Sequence, residues 1–106
     1  MRGAQGSAGR VGERVARARR WSGVSQRRLS GLVGLSPTYL GAVERGGFMP
    51  GTGPLFALAD VLGVSAAWLA RGEGEEPTPD VVRAAVAAAE AKAKKSGRAK
   101  RHRAAA

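Results

Sequence analysis

Leu35-Ser36-Pro37-Thr38-Tyr39-Leu40-Gly41-Ala42-Val43-Glu44-Arg45-Gly46 reads as a short helix with a marked beginning and a marked end. Ser36 carries the hydroxyl that accepts a backbone N–H of the first turn. Pro37 falls at the first helical position, where its missing N–H costs nothing. Gly46 stops the helix, because glycine enters the left-handed region cheaply. Leu40 and Val43 share one face, with Leu35 just upstream. Thr38, Gly41, Ala42 and Arg45 form another face, and none of them is large and apolar. The pattern turns one side inward and leaves the other small or basic.

Working outward, Gly34-Leu35-Ser36 is a turn that joins this helix to an earlier one over 26–33. Ser25 caps that earlier helix, and Leu29, Leu32 and Val33 face inward. Arg28 at its third position leaves no capping box. Before it, Val11, Val15 and Ala18 recur at helical spacing, and Trp21-Ser22-Gly23-Val24 closes the segment. Residues 1–10 read as a flexible arm. On the other side, Gly47-Phe48-Met49-Pro50-Gly51-Thr52-Gly53 is too rich in glycine and proline for a regular element. Phe48 and Met49 are its candidates to pack back onto the domain. A helix over 54–62 follows, with Leu55, Leu58, Ala59 and Leu62 inward and Gly63 as its stop. Ser65 caps a last short helix over 66–70 that turns Trp68 and Leu69 inward, and Arg71-Gly72 closes the domain.

These segments predict an all-α fold, a compact five-helix bundle with no strand. The expected core is Val11, Val15, Ala18, Val24, Leu29, Leu32, Val33, Leu35, Leu40, Val43, Leu55, Leu58, Ala59, Leu62, Val64, Trp68 and Leu69. Such a thin core predicts stability near the low end of roughly 5–15 kcal/mol. An acidic, proline-containing linker over 74–80 separates the bundle from an alanine-rich helix over 81–96. Thr78-Pro79-Asp80 has the chemistry of that helix's start, and Glu90 and Lys94 are spaced as an i, i+4 pair. The apolar face is mostly alanine and reads as too poor to dock firmly. Ser96-Gly97 reads as its stop, leaving a basic, disordered tail over 97–106.

The chain has 106 residues and a formal net charge of +10, from 18 Lys+Arg against 8 Asp+Glu. That excess points to an anionic partner, nucleic acid before a membrane surface. Cysteine is absent, which excludes disulfides and thiolate metal sites and fits a reducing cytosol. The amino terminus has no apolar stretch of the signal-peptide kind, and no run is long enough to span a bilayer. Catalysis finds little support. His102 stands alone in the basic tail, no metal-ligand cluster is present, and Glu75 and Glu76 lie in a linker. The chain is therefore not expected to be an enzyme, and neither a cofactor nor a metal is expected.

Ser25-Gln26-Arg27-Arg28-Leu29-Ser30, Gly34-Leu35-Ser36-Pro37-Thr38-Tyr39-Leu40 and Val43-Glu44-Arg45-Gly46 together resemble the helix-turn-helix of the lambda-repressor-like regulators, the Cro/C1 or Xre type. The likeness extends upstream to Gly12-Glu13-Arg14-Val15. Downstream it takes in Leu58-Ala59-Asp60-Val61-Leu62-Gly63-Val64-Ser65, Trp68-Leu69 and Gly72-Glu73, so it covers residues 11–73. The resemblance implies a lambda-repressor-like DNA-binding domain whose second helix bridges the DNA backbone while the third enters the major groove. It implies a phosphate contact for Gln26 and an ion pair between Arg19 and Glu44. It places Ser36, Pro37, Thr38, Gly41 and Ala42 on the DNA side, with Tyr39 and Arg45 at its margins. No Arg, Asn or Gln stands at the reading positions to make a bidentate base contact. Arg20, Arg27, Arg28 and Arg45 are expected to neutralise phosphates, with Lys92, Lys94, Lys95, Arg98, Lys100, Arg101 and Arg103 as a further cationic reserve.

The function expected is that of a DNA-binding transcriptional regulator, acting on double-stranded DNA as a homodimer in the cytoplasm, associated with the nucleoid. Two alternatives stay open. One is a protein-interaction module on the same fold, an antitoxin or adaptor with a protein partner. The other is a non-specific nucleic-acid binder that works through the basic tail. No membrane partner is expected.

Overall fold

Three serines divide the middle of the chain. The hydroxyls of Ser25, Ser36 and Ser65 accept from the backbone N–H of Arg28, Tyr39 and Trp68 at 3.0, 3.0 and 2.9 Å. Each such cap is worth about 1 kcal/mol. The computed structural model describes the backbone of residues 2–105 and the side chains of residues 10–95. Its elements are α1 (Arg2–Ser22), α2 (Gln26–Val33), α3 (Pro37–Glu44), α4 (Thr52–Leu62), α5 (Ala66–Arg71) and α6 (Pro79–Ala105). Among the described residues there is no strand, and no helix is long and apolar enough to cross a membrane.

α2 occupies the range the sequence predicts, and α3 the range up to its last residue, because caps and stops are local chemistry. α5 runs one residue further than expected, to Arg71, and α6 starts two residues earlier, at Pro79. Three further boundaries differ. α4 starts at Thr52 rather than at residue 54, so Pro54 sits inside the first turn, where no N–H partner is needed. α1 begins at Arg2, so residues expected to form a flexible arm are helical in backbone. α6 continues past Ser96 and Gly97 to Ala105 instead of yielding to a disordered tail. In both cases a docked helix extends outward from a segment already nucleated, and adding a residue costs far less than starting a helix. A glycine in such an extension costs about 1 kcal/mol, which does not end it. The side chains of residues 1–9 and 96–106 lie outside the described residues.

α1 packs against α3, α5 and α6, while α2 lies on α3 and α4. Val11, Val15, Ala18, Leu29, Leu40, Val43, Leu58, Ala59, Leu62, Trp68 and Leu69 form the buried core. Val24, Leu32, Val33, Leu35, Leu55 and Val64 pack around it. The core also contains Val82 and Val86 of α6, both inaccessible to solvent or nearly so. This corrects the expectation that the alanine-rich helix would not dock. Small residues do the work: Ala85 lies so close to Gly63 that a Cβ built on that glycine would overlap the Ala85 Cβ. A face of valine and alanine suffices when two backbones approach this closely. Each buried valine contributes about 1.5–3 kcal/mol of apolar burial.

Two arginines of α1 tie down the far end of the bundle. Arg14 donates to the carbonyls of Leu69 and Ala70 at 2.8 and 3.0 Å, closing the C-terminal turn of α5 with a cation. Burial, together with the charges of Arg10 and Arg17, lowers its pKa. Arg17 lies over the rings of Trp21 and Trp68 at 5.5 and 5.6 Å and donates to Glu76 of the linker at 3.1 Å.

Gly12 is the tightest crossing. A Cβ there would overlap the Val43 carbonyl oxygen and stand 2.9 Å from that of Glu44. Gly31, by contrast, is a helical position facing open space. Gly12→Ala is therefore expected to lower stability by about 1–3 kcal/mol or more through overpacking. Gly31→Ala should raise it by about 0.5–1 kcal/mol. Urea unfolding of the two variants checks the pair of signs.

Candidate nucleic-acid interface

The site starts from a residue that is awkward alone. Glu44 ends α3, where the helix dipole disfavours a carboxylate. Three donors offset this. Arg19 donates from Nε to Oε2 at 2.7 Å and from Nη2 to Oε1 at 3.1 Å. Gln26 donates from Nε2 to Oε1 at 2.9 Å. Arg19 uses its third nitrogen, Nη1, on the Val24 carbonyl at 2.9 Å. The Arg19 and Glu44 side chains are 16% and 6% exposed, so the bidentate pair works largely out of water. One carboxylate thus fastens the end of α1 and the start of α2 to the end of α3.

The turn between α2 and α3 is fixed by backbone bonds. The N–H of Leu35 donates to the Ser30 carbonyl at 2.9 Å. At the other end of α3, Gly46 adopts φ 79 and donates to Val43, while Gly47 donates to Ala42, both at 2.9 Å. These two bonds close a Schellman motif. The orientation of α3 is set at both ends before any ligand arrives.

Ser36, Pro37, Thr38 and Arg45 are exposed, whereas Ala42 and Tyr39 are half-buried. Gly41, an open reading position by sequence, is buried. A Cβ on it would meet Arg45 Nη1 at 3.2 Å and Gln26 Oε1 at 3.5 Å. The long side chains on either side fold over it, which no local pattern reveals. Tyr39 holds the connection to α4: its hydroxyl accepts from the Gly51 N–H at 3.3 Å, and its ring meets Phe48 edge-on at 5.1 Å. Phe48 nevertheless stays 39% exposed and Met49 45%.

The cations expected on the DNA side separate into groups. Arg27 and Arg45 are exposed beside the first turn of α2 and the face of α3. Arg28 pairs with Glu90 of α6, so Glu90 commits its carboxylate across helices rather than to Lys94. Arg20 lines a cleft with Arg10, Arg14, Arg17, Trp68 and Glu76, on a different side of α1 from Arg19. Gln26 turns its amide nitrogen inward to Glu44, which leaves the backbone N–H groups of Gln26 and Arg27 as the open donors at the start of α2.

Removing one partner of the clamp strands the other. Arg19→Ala and Glu44→Ala are each expected to destabilise the fold by about 3–5 kcal/mol. Gln26→Ala removes one bond and should cost about 1–3 kcal/mol. Thermal unfolding of the three single variants, followed by circular dichroism, gives the ranking.

A family model described as helix-turn-helix matches residues 15–69, from the middle of α1 to the end of the core in α5. Comparisons with curated proteins and with solved structures give no match. The matched span contains the clamp, the turn and the whole of α3, and it stops short of α6. The chain belongs to the Cro/C1-type helix-turn-helix family of DNA-binding transcriptional regulators.

Proposed function

We propose that this protein recognises a site in double-stranded DNA by laying α3 in the major groove. The α2 amino terminus, Arg27 and Arg45 would then rest on the phosphate backbone. The observation that carries this reading is the clamp on Glu44, which holds a helix with an outward face of Pro37, Thr38 and Ala42 next to two exposed cations. Small residues allow the helix to approach the base edges closely, and helix N–H groups suit a phosphate.

The same face limits how sequence is read. Thr38 supplies one hydroxyl, and Pro37 and Ala42 offer apolar contact to a thymine methyl. Arg45, lying over Gly41, is the group able to swing outward and reach a guanine edge or a phosphate. Discrimination then rests heavily on the shape and deformability of the duplex. A single α3 reads only a few base pairs, so a homodimer on a near-palindromic site is the matching assembly. A regulator of this kind acts where the DNA is, at the nucleoid.

A second reading is a module for a protein partner on the same fold. The sparse reading face favours it, as do the exposed Phe48 and Met49 beside α3.

Selection from a random duplex pool separates the two. The DNA reading expects one recurrent motif, bound at least ~10³-fold more tightly than random sequence. Arg45→Ala should weaken that binding and make the salt dependence shallower by about 0.9 in log–log slope if the arginine contacts one phosphate. A pool that returns no motif, with binding indifferent to Arg45, favours the protein-partner reading.

A further inference from the structure

α6 lies outside the region matched by the family, yet it is part of the folded core through Val82 and Val86. That docking aims the rest of the helix. Beyond Val86 it runs beside α2, where a groove of about 710 Å³ opens between the two. Arg27, Arg28 and Lys94 bring three cations to this groove, and Glu90 is the single anion among its lining residues. The first turn of α2 separates the groove from the face of α3. Gln26 on one side reaches Glu44 and Gly41, and Arg28 on the other reaches Glu90. A duplex backbone resting on the start of α2 therefore borders the groove.

The sequence continues the charge. Lys92, Lys94, Lys95, Arg98, Lys100, Arg101 and Arg103 follow Glu90 without an intervening acid. The backbone is helical throughout, so Lys92 to Arg103 spans about 16 Å of helix axis. Duplex DNA carries one charge per about 1.7 Å, so this length matches a run of several phosphates.

We propose that the α2–α6 groove and the basic end of α6 form a second, sequence-independent surface for the phosphate backbone of duplex DNA. In the free protein Glu90 occupies Arg28 as a phosphate would. On binding, a DNA phosphate takes that place, and Lys92, Lys94 and Lys95 extend the contact beyond the helix-turn-helix. This rests on the proposed docking of α3, since that docking brings the backbone to the start of α2.

The test uses the full chain and a labelled random-sequence duplex, titrated between about 50 and 200 mM salt. The Lys92→Gln, Lys94→Gln, Lys95→Gln variant keeps helix propensity and removes charge next to the groove. It should bind at least several-fold more weakly at the lower salt, with a log–log slope shallower by about 0.9 for each phosphate that is no longer neutralised, so that the difference narrows as salt rises. Glu90→Gln should do the opposite, binding several-fold more tightly with a steeper slope, because Arg28 is released. Unchanged circular dichroism and melting confirm that both variants are folded. Wild-type binding with slopes unaffected by either variant overturns the second surface and leaves the α3 reading intact. Loss of binding to anionic vesicles alone, with DNA binding unchanged, also overturns it. A wild-type chain that binds neither the random-sequence duplex nor any duplex selected from a random pool overturns both readings.

Discussion

The carboxylate of Glu44 is the point on which the arrangement depends. It sits nearly buried at the wrong end of a helix dipole, so it requires cations and donors around it. Arg19 and Gln26 meet that requirement from two different helices. Because the pair is bidentate, it fixes angle as well as distance. A solvent-exposed pair would leave the end of α3 free to shift against α1. The nearby Gly12 crossing adds a steric constraint, with α1 backbone against the last carbonyls of α3. Attraction at Glu44 and close contact at Gly12 act on the same turn of α3 and leave it one position.

What is legible in the sequence is mostly what is chemically local. Ser25, Ser36 and Ser65 announce helix starts because the hydroxyl and the N–H it accepts lie three residues apart. Leu29, Leu40, Val43, Leu58 and Leu62 declare their burial through helical spacing. The long-range features are harder to see. Arg14 finds its carbonyls in α5 and Arg17 finds Glu76, both far along the chain, and nothing near either arginine signals a partner. Gly12 looks like one of many glycines in a glycine-rich chain. The burial of Gly41 depends on how Gln26 and Arg45 fold, which is a property of two helices at once.

α6 shows how a compositional judgement misleads. An alanine-rich face reads as weak because each methyl buries little area. That judgement assumes ordinary helix separation. At Gly63 the backbones come close enough for Ala85 to touch, and the two valines then reach the common core. Under the proposed second surface the consequence is functional as well as structural. A loosely tethered basic segment samples every direction, whereas a docked helix carries its charge to one place, alongside α2 and the Arg28–Glu90 pair.

The clamped helix α3, with the start of α2, is proposed as the surface that meets duplex DNA. The most direct measurement is nuclear magnetic resonance of the labelled chain, titrated with duplex and followed at the backbone amides. The largest shift changes are expected on Thr38, Gly41, Ala42 and Arg45 and on the first turn of α2, while α5 stays unchanged. Changes concentrated at α5 and the cleft around Arg14 and Arg17, with α3 silent, would place the DNA on another face and contradict this assignment.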